Sequence, residues 1–205
     1  MTTLGYLIQG IGLGFTGAVQ PGPFQTYVIA RTLDRGWRRT LPVALAPLIS
    51  DGPIILLVLL VLNQLPDWLQ RILCVAGGIL VLYLAAQAFM AWRDFDPRDR
   101  AQPRVAGRGV LQAAAMNMLS PGPYIFWSLV TGPILLSGWR EGPMNGIGFL
   151  AGFYGAMVIT LVAIILLFGF ARRMGPRVNH ALLGIAAVAL ACFGCYQLWL
   201  GVSGA

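Results

Sequence analysis

Long runs of uncharged, apolar residues are the feature that most constrains this chain. No charged side chain occurs from Met1 to Ala30, and further charge-poor windows follow along the sequence. A helix needs about 20 apolar residues to cross the hydrocarbon core of a bilayer, and each window meets that length. The sequence therefore predicts six transmembrane helices. The windows cover residues 4–30, 41–65, 72–92, 110–137, 144–170 and 178–200.

The composition favours lipid over water as the solvent of this chain. Charged residues make up only 10% of the sequence and hydrophobic residues 58%, whereas soluble domains carry roughly 25% charged residues. The pI near 10 does not indicate nucleic-acid binding, because the arginines fall in short clusters between apolar windows rather than on one face. The windows lack the two-residue alternation of a membrane β-barrel. We therefore expect an all-α integral membrane protein, with no nucleic-acid partner.

The arginines predict the orientation of the chain. All fourteen basic residues are arginine, and twelve of them lie in the first, third and fifth predicted loops. The positive-inside rule places these loops in the cytoplasm and both termini outside. The third loop, residues 93–109, is predicted to be a cytoplasmic linker between two three-helix repeats, residues 1–92 and 110–205, within a single transporter domain.

The same tripeptide interrupts two of the windows. Pro21, Gly22 and Pro23 form the first copy, and Pro121, Gly122 and Pro123 form the second, one hundred positions later. Proline lacks an N–H and breaks a helix, so the first and fourth helices should both be broken. With a rise of about 1.5 Å per residue, both breaks fall near the middle of a core about 30 Å thick.

Three helices per half make the second repeat inverted with respect to the first. Interrupted helices at equivalent positions of two inverted repeats indicate the binding site of a transporter, because irregular backbone at that depth must be buried or line a wet cavity. The exposed N–H groups and the helix dipole would suit a carboxylate. The polar residues beside the breaks would hydrogen-bond a zwitterionic solute or satisfy the carbonyls that proline frees. These residues are Gln20, Gln25, Thr26, Asn117 and Ser120.

Asp51 is the only acidic residue deep within a predicted span. A charge at the centre of a bilayer costs about 3 kcal/mol on insertion scales, so this carboxylate needs a proton, a cation or N–H donors. The sequence "SDGP" is typical of an aspartate that caps a restarted helix with proline in its first turn. Asp51 would also bind a substrate ammonium or carry a coupling proton, and capping is compatible with either role.

Four segments together resemble the LysE-type family of amino-acid exporters, the group of lysine and homoserine/threonine exporters. They are "GFTGAVQPGP", "RTLDRGWRR", "ISDGPIILLVLL" and "NMLSPGPYIFW". The resemblance implies a multi-pass transporter of the bacterial inner membrane. It also implies that amino acids or similar small metabolites are exported at the expense of the proton motive force, with protons as coupling ions and no cofactor.

The resemblance matches individual positions of this chain to the motif residues of the family. Pro21, Gly22 and Pro23 match the first family motif, and Asn117 and Pro121 match the second-half motif. Asp51 matches the acidic residue of the second helix in the branch that exports lysine and arginine. Many members have Asn before the second-half proline and Lys or His after it, where this chain has Ser120 and Gly122. A basic amino acid is therefore only one candidate substrate.

Two rival functions would need other residues. A thiol–disulfide carrier needs a cysteine beside each broken helix, but the pair Cys192 and Cys195 belongs to the last window, where we expect buried, unreactive thiols. A metal exporter needs several clustered ligands, and His180 is the only histidine. Six helices make a narrow bundle for a closed transport pathway, which is compatible with a homodimer as well as with a monomer. Pairs of glycines such as Gly10 and Gly14 would pack helices within or between protomers.

Overall fold

Helices and short turns form all the regular structure in the described residues 2–60, 67–94 and 109–203 of the computed structural model. The all-α prediction is confirmed for these residues, whereas residues 95–108 of the predicted linker lie outside them. The helices are α1 (Thr3–Val19), α2 (Pro23–Arg35), α3 (Trp37–Thr40), α4 (Ala46–Leu60), α5 (Asp67–Arg93), α6 (Gly109–Met118), α7 (Pro121–Phe126), α8 (Gly132–Glu141), α9 (Pro143–Ala171) and α10 (Pro176–Ser203). Two 3-10 turns, Leu41–Leu45 and Arg172–Met174, precede α4 and α10, and a π-helical segment, Trp127–Thr131, joins α7 to α8.

Four segments of the described residues are long and apolar enough to cross a membrane. They are Trp37–Val58, Cys74–Arg93, Pro143–Ala171 and Pro176–Ser203. They coincide with the second, third, fifth and sixth predicted windows. The first and fourth windows instead contain shorter helices, α1 and α2 in one and α6 to α8 in the other. Both interruptions fall at the Pro-Gly-Pro sequences.

α1 and α9 lie parallel and in backbone contact through glycine. A side chain at Gly10 would collide with the backbone of Phe149, and one at Gly14 would collide with the backbone of Phe153. On the opposite helix, a side chain at Gly152 would meet the Leu7 carbonyl. The glycine spacing noted in the sequence therefore packs helices within the chain. Such close approach is how helices associate when lipid supplies no hydrophobic drive.

This contact predicts a large difference between two neighbouring glycines of α1. Gly14→Ala should lower the midpoint of thermal unfolding, because the added methyl group overpacks the α1–α9 contact at a typical cost of about 1–3 kcal/mol. Gly12 has nothing within 4 Å of an added methyl group, so Gly12→Ala is the matched control and should leave the midpoint unchanged or raise it. The fraction of monodisperse protein that remains after heating in detergent measures both. Equal midpoints for the two variants would refute this packing.

α5 and α10 form a second tight pair, which is antiparallel. A side chain at Gly78 would meet Leu198, and one at Gly194 would meet Leu82. Aromatic rings fill the core between the remaining helices. Trp127 and Phe149 are fully buried together with Phe153, and the Trp127 ring meets the Phe153 ring edge-on at 5.2 Å. α4 packs against α6 beside this core.

The prediction that Asp51 caps a restarted helix is wrong. α4 begins at Ala46 and continues through Asp51, with Pro53 inside the helix. The chain makes its irregular turn earlier, in the 3-10 segment that contains Pro42. Asp51 is therefore an interior helical residue whose carboxylate is available for tertiary contacts.

Candidate functional site

The first helix break is stabilised by a side chain of the following helix. α1 ends at Val19, and Gly22 is fully extended before α2 begins at Pro23. The amide nitrogen Nε2 of Gln25 donates to the carbonyls of Gly17 and Ala18, at 3.2 and 3.3 Å. In this structure Gln25 therefore satisfies carbonyls that the break frees. Gln20 and Pro21 are exposed beside it.

The second break is stabilised in a similar way. α6 ends at Met118, and Ser120 is extended before α7 begins at Pro121. The Ser120 hydroxyl donates to the Met116 carbonyl at 2.9 Å, and the Tyr124 hydroxyl donates to the Met118 carbonyl at 2.9 Å. The role of Tyr124 was not predicted from the sequence. Gly122 is exposed, with open space around its Cα, and Pro123 next to it is half-buried.

The structure brings two predicted site residues, Asp51 and Asn117, into direct contact. Asp51 is only 3% exposed. The amide nitrogen Nδ2 of Asn117 donates to Asp51 Oδ1 at 2.8 Å and to Ser50 Oγ at 2.8 Å. Ser50 Oγ in turn lies 3.1 Å from the Ala46 carbonyl, to which it donates, and 3.5 Å from Asp51 Oδ1. Asn117 thus joins the helix before the second break to α4.

Two further side chains complete the surroundings of the Asp51 carboxylate. The polar ends of the Trp127 and Tyr154 side chains both lie close to it. Trp127 is fully buried at the junction of α7 and the π-helical segment, and Tyr154 is half-buried on α9. We call these five residues, Ser50, Asp51, Asn117, Trp127 and Tyr154, the Asp51 cluster. The groups around the carboxylate in this cluster are uncharged, and they come from four different segments.

Sequence reasoning missed Ser50, Trp127 and Tyr154. The position of Trp127 is nevertheless unusual in the sequence. It lies in the middle of an apolar window, whereas the other five tryptophans lie near predicted span ends. The π-helical segment that begins at Trp127 is a second signal in the structure, since π-bulges occur frequently at functional sites. Its Thr131 hydroxyl donates to the Phe126 carbonyl at 3.1 Å. Tyr154 left no local signal, since only the packing of α9 brings it to Asp51.

Comparison with protein families agrees with this architecture. The family model described as LysE type translocator matches residues 15–201, which include both breaks and the whole Asp51 cluster. The chain belongs to the LysE type translocator family. This translocator is a multi-pass membrane protein that exports small molecules, and the members of its family are transporters rather than enzymes. No curated protein and no solved structure matches it.

Within the described part of the chain, neither a group of metal ligands nor a pair of cysteines lies at the Asp51 cluster. Among residues 2–60, 67–94 and 109–203, no three His, Cys, Asp or Glu side chains are grouped as a metal site requires. Cys192 and Cys195 lie on the exposed face of α10, contrary to the expectation that both are buried, because the other face of α10 packs on α5. Cys74 is buried in α5.

Proposed function

We propose that this translocator exports amino acids or related small zwitterionic metabolites across the bacterial inner membrane in exchange for protons. The observation that carries the proposal is the Asp51 cluster. A carboxylate in a membrane-spanning helix is expensive even when it accepts hydrogen bonds, and apolar side chains of similar volume would pack such a core at lower cost. A buried carboxylate held by neutral donors is free to take up a proton or a substrate ammonium.

The two functional groups of a zwitterion would bind at different parts of this site. Asp51 would receive the ammonium or exchange a proton for it. The first turn of α2 offers the backbone N–H groups of Phe24 and Gln25, which follow Pro23, and a helix N-terminus favours a carboxylate. The first turn of α7 offers fewer donors, because Pro121 and Pro123 both lack an N–H. We therefore assign the substrate carboxylate to the first break rather than the second.

The pattern of helix contacts supports an inverted repeat. α1 packs along α9, and α6 packs against α4. Superposing the first predicted window on the fourth and the second on the fifth would map the α1–α9 contact onto the α6–α4 contact. The same superposition would map the α5–α10 contact onto itself. We therefore propose six spans in two inverted halves, residues 1–92 and 110–205, that rock about the Asp51 cluster to give alternating access. The arginine-rich loops then face the cytoplasm and both termini face outward.

Transport by inverted membrane vesicles tests this function. Labelled amino acids of each charge class are offered to inside-out vesicles that contain the translocator, with and without an acidic interior. We expect accumulation of one class that requires the pH gradient and stops when an ionophore collapses it. Absence of accumulation of every class, from protein that is shown to be folded, would contradict the proposed substrate.

The hydroxyl of Tyr154 provides a narrower test of the cluster. Tyr154→Phe removes the hydroxyl that lies close to the Asp51 carboxylate. It should lower the rate of gradient-driven transport about 10-fold if this hydroxyl donates to the carboxylate during transport, because a hydrogen bond to a charged group contributes about 1.5–3 kcal/mol. Tyr196 is 56% exposed on α10, so Tyr196→Phe is the matched control and should transport at the wild-type rate. Unchanged transport by Tyr154→Phe would remove this hydroxyl from the site.

A further inference from the structure

A second polar feature lies far from the Asp51 cluster, at the arginine-rich end of the helices. It is a groove of about 440 Å³ between the turn that joins α2 to α3 and the end of α9. Four arginines line it, and no acidic residue is among its described lining residues. We call it the arginine groove. Its lining consists of Arg35, Gly36, Trp37, Arg38, Arg39, Gly169 and Arg172.

Two glycines allow the walls of the arginine groove to meet. Gly36 ends α2 with a φ of 82°, a conformation that glycine adopts without steric cost. The Arg172 guanidinium occupies the space into which a side chain at Gly36 would project. On the other wall, Gly169 leaves no room for a methyl group against Trp37. Arginines from two segments that are distant in sequence therefore face one cavity.

The charges in this groove are arranged to receive an anion. The Arg38 guanidinium lies over the Trp37 ring, 5.1 Å from its centroid, which holds the side chain by a cation–π contact. Arg35 Nε lies 3.4 Å from Asp34 Oδ2, and the Arg35 side chain is only 16% exposed. Asp34 is 41% exposed, so its charge is largely screened by water. Arg38, Arg39 and Arg172 add three further guanidinium groups to the same groove, and a bound anion would offset the repulsion between them.

The membrane-spanning part of α9 next to the arginine groove also exposes apolar side chains. Leu166 lies one turn before Gly169 and is 38% exposed, and Leu167 is 65% exposed. A soluble anion would gain nothing from these side chains. A phospholipid would place its phosphate among the arginines and its acyl chains along the apolar residues.

We propose that the arginine groove binds the headgroup phosphate of an anionic phospholipid. The planar guanidinium group binds phosphate oxygens in pairs, and basic pockets between membrane helices on the cytoplasmic side bind anionic headgroups. The assignment to the cytoplasmic leaflet rests on the orientation proposed above. The bound lipid would hold the α2–α3 turn against the end of α9, which belong to different halves of the chain.

Native mass spectrometry of the purified translocator tests this site without any transport assay. The protein is incubated in detergent with phosphatidylglycerol or with phosphatidylcholine, which carries the same phosphate without net charge. We expect selective retention of phosphatidylglycerol. The double variant Arg38→Gln/Arg172→Gln should bind it at least ~10-fold more weakly, because each charge-assisted contact is strong. Arg140→Gln removes one arginine on α8, outside the groove, and should bind as the wild type does.

Each alternative result overturns the proposal. Equal retention of the two lipids by the wild type would show that the groove does not select an anionic headgroup, and this comparison needs no variant to fold. Displacement of phosphatidylglycerol by millimolar inorganic phosphate would reassign the groove to soluble anions. If Arg140→Gln weakened the binding of phosphatidylglycerol as much as the double variant does, the loss would reflect the net charge of the protein rather than the arginine groove. Because binding is measured directly, failure of amino-acid transport would leave this test unaffected.

Discussion

Asp51→Asn is expected to abolish gradient-driven export while the amount of folded protein in the membrane stays the same. Asparagine has the size of aspartate, but it has no carboxylate to exchange a proton or to bind an ammonium. Its NH2 group would also face the donors Asn117, Trp127 and Tyr154, which now lie around the carboxylate. We expect the transport rate to fall at least ~100-fold, which corresponds to about 3 kcal/mol. Uptake into inside-out vesicles with an acidic interior measures the loss.

The control for this variant removes a carboxylate elsewhere. Asp94 follows α5, and its Oδ1 atom lies 3.1 Å from Arg93 Nε in an exposed ion pair. Asp94→Asn should therefore transport at the wild-type rate. Asp51→Glu keeps the charge and should retain partial transport. Wild-type export by Asp51→Asn would exclude Asp51 from the mechanism.

Asn117→Leu is expected to lower export at least ~10-fold, because it removes the amide that bridges α6 to α4. Ser50 Oγ and Asp51 Oδ1 would both lose a donor at 2.8 Å, and an unsatisfied buried polar group costs about 1–3 kcal/mol. Unlike Asp51→Asn, this variant keeps the carboxylate. Its remaining transport should therefore still depend on the pH gradient, which initial rates at several imposed gradients would show.

The next residue on α6 supplies the control for this prediction. Met118 contributes its backbone carbonyl to the second break, and Met118→Leu leaves that carbonyl in place with little change in volume. Its transport rate should match the wild type. A wild-type rate for Asn117→Leu would show that the contact between Asn117 and Asp51 has no part in transport.

Local sequence was sufficient to predict an all-α chain in the described residues and the ends of two helices near the Pro-Gly-Pro sequences. An apolar run of about 20 residues is helical in lipid because every backbone group must be satisfied internally, and proline disfavours the helix because it lacks an N–H. The ends of α1 and α6 near the two Pro-Gly-Pro sequences follow from these two facts. The same logic failed at Pro53, which lies inside α4. Neighbouring groups in a membrane bundle can satisfy the carbonyl that a proline frees, and the sequence does not show those neighbours.

The candidate site was only partly predictable because its members meet through packing. Asp51 and Asn117 were conspicuous as polar residues in apolar windows. Trp127 and Tyr154 look like ordinary core aromatics in the sequence. Trp127 comes close to the carboxylate because α7 and the π-helical segment pack against α4, and Tyr154 does so only through the tertiary placement of α9. Gln25 was noted as polar beside the first break, but the sequence could not decide between a solute and the carbonyls of Gly17 and Ala18, to which it donates in the structure.

Proton movement is the direct test of whether Asp51 exchanges protons for substrate. Proteoliposomes with an acidic interior and an enclosed pH dye are mixed with the amino acid that the vesicle assay identifies. For the wild type, we expect the interior to become alkaline only when substrate is added. For Asp51→Asn, we expect no substrate-dependent change in internal pH. Substrate-dependent proton efflux from Asp51→Asn at the wild-type rate would show that Asp51 does not carry the coupling proton.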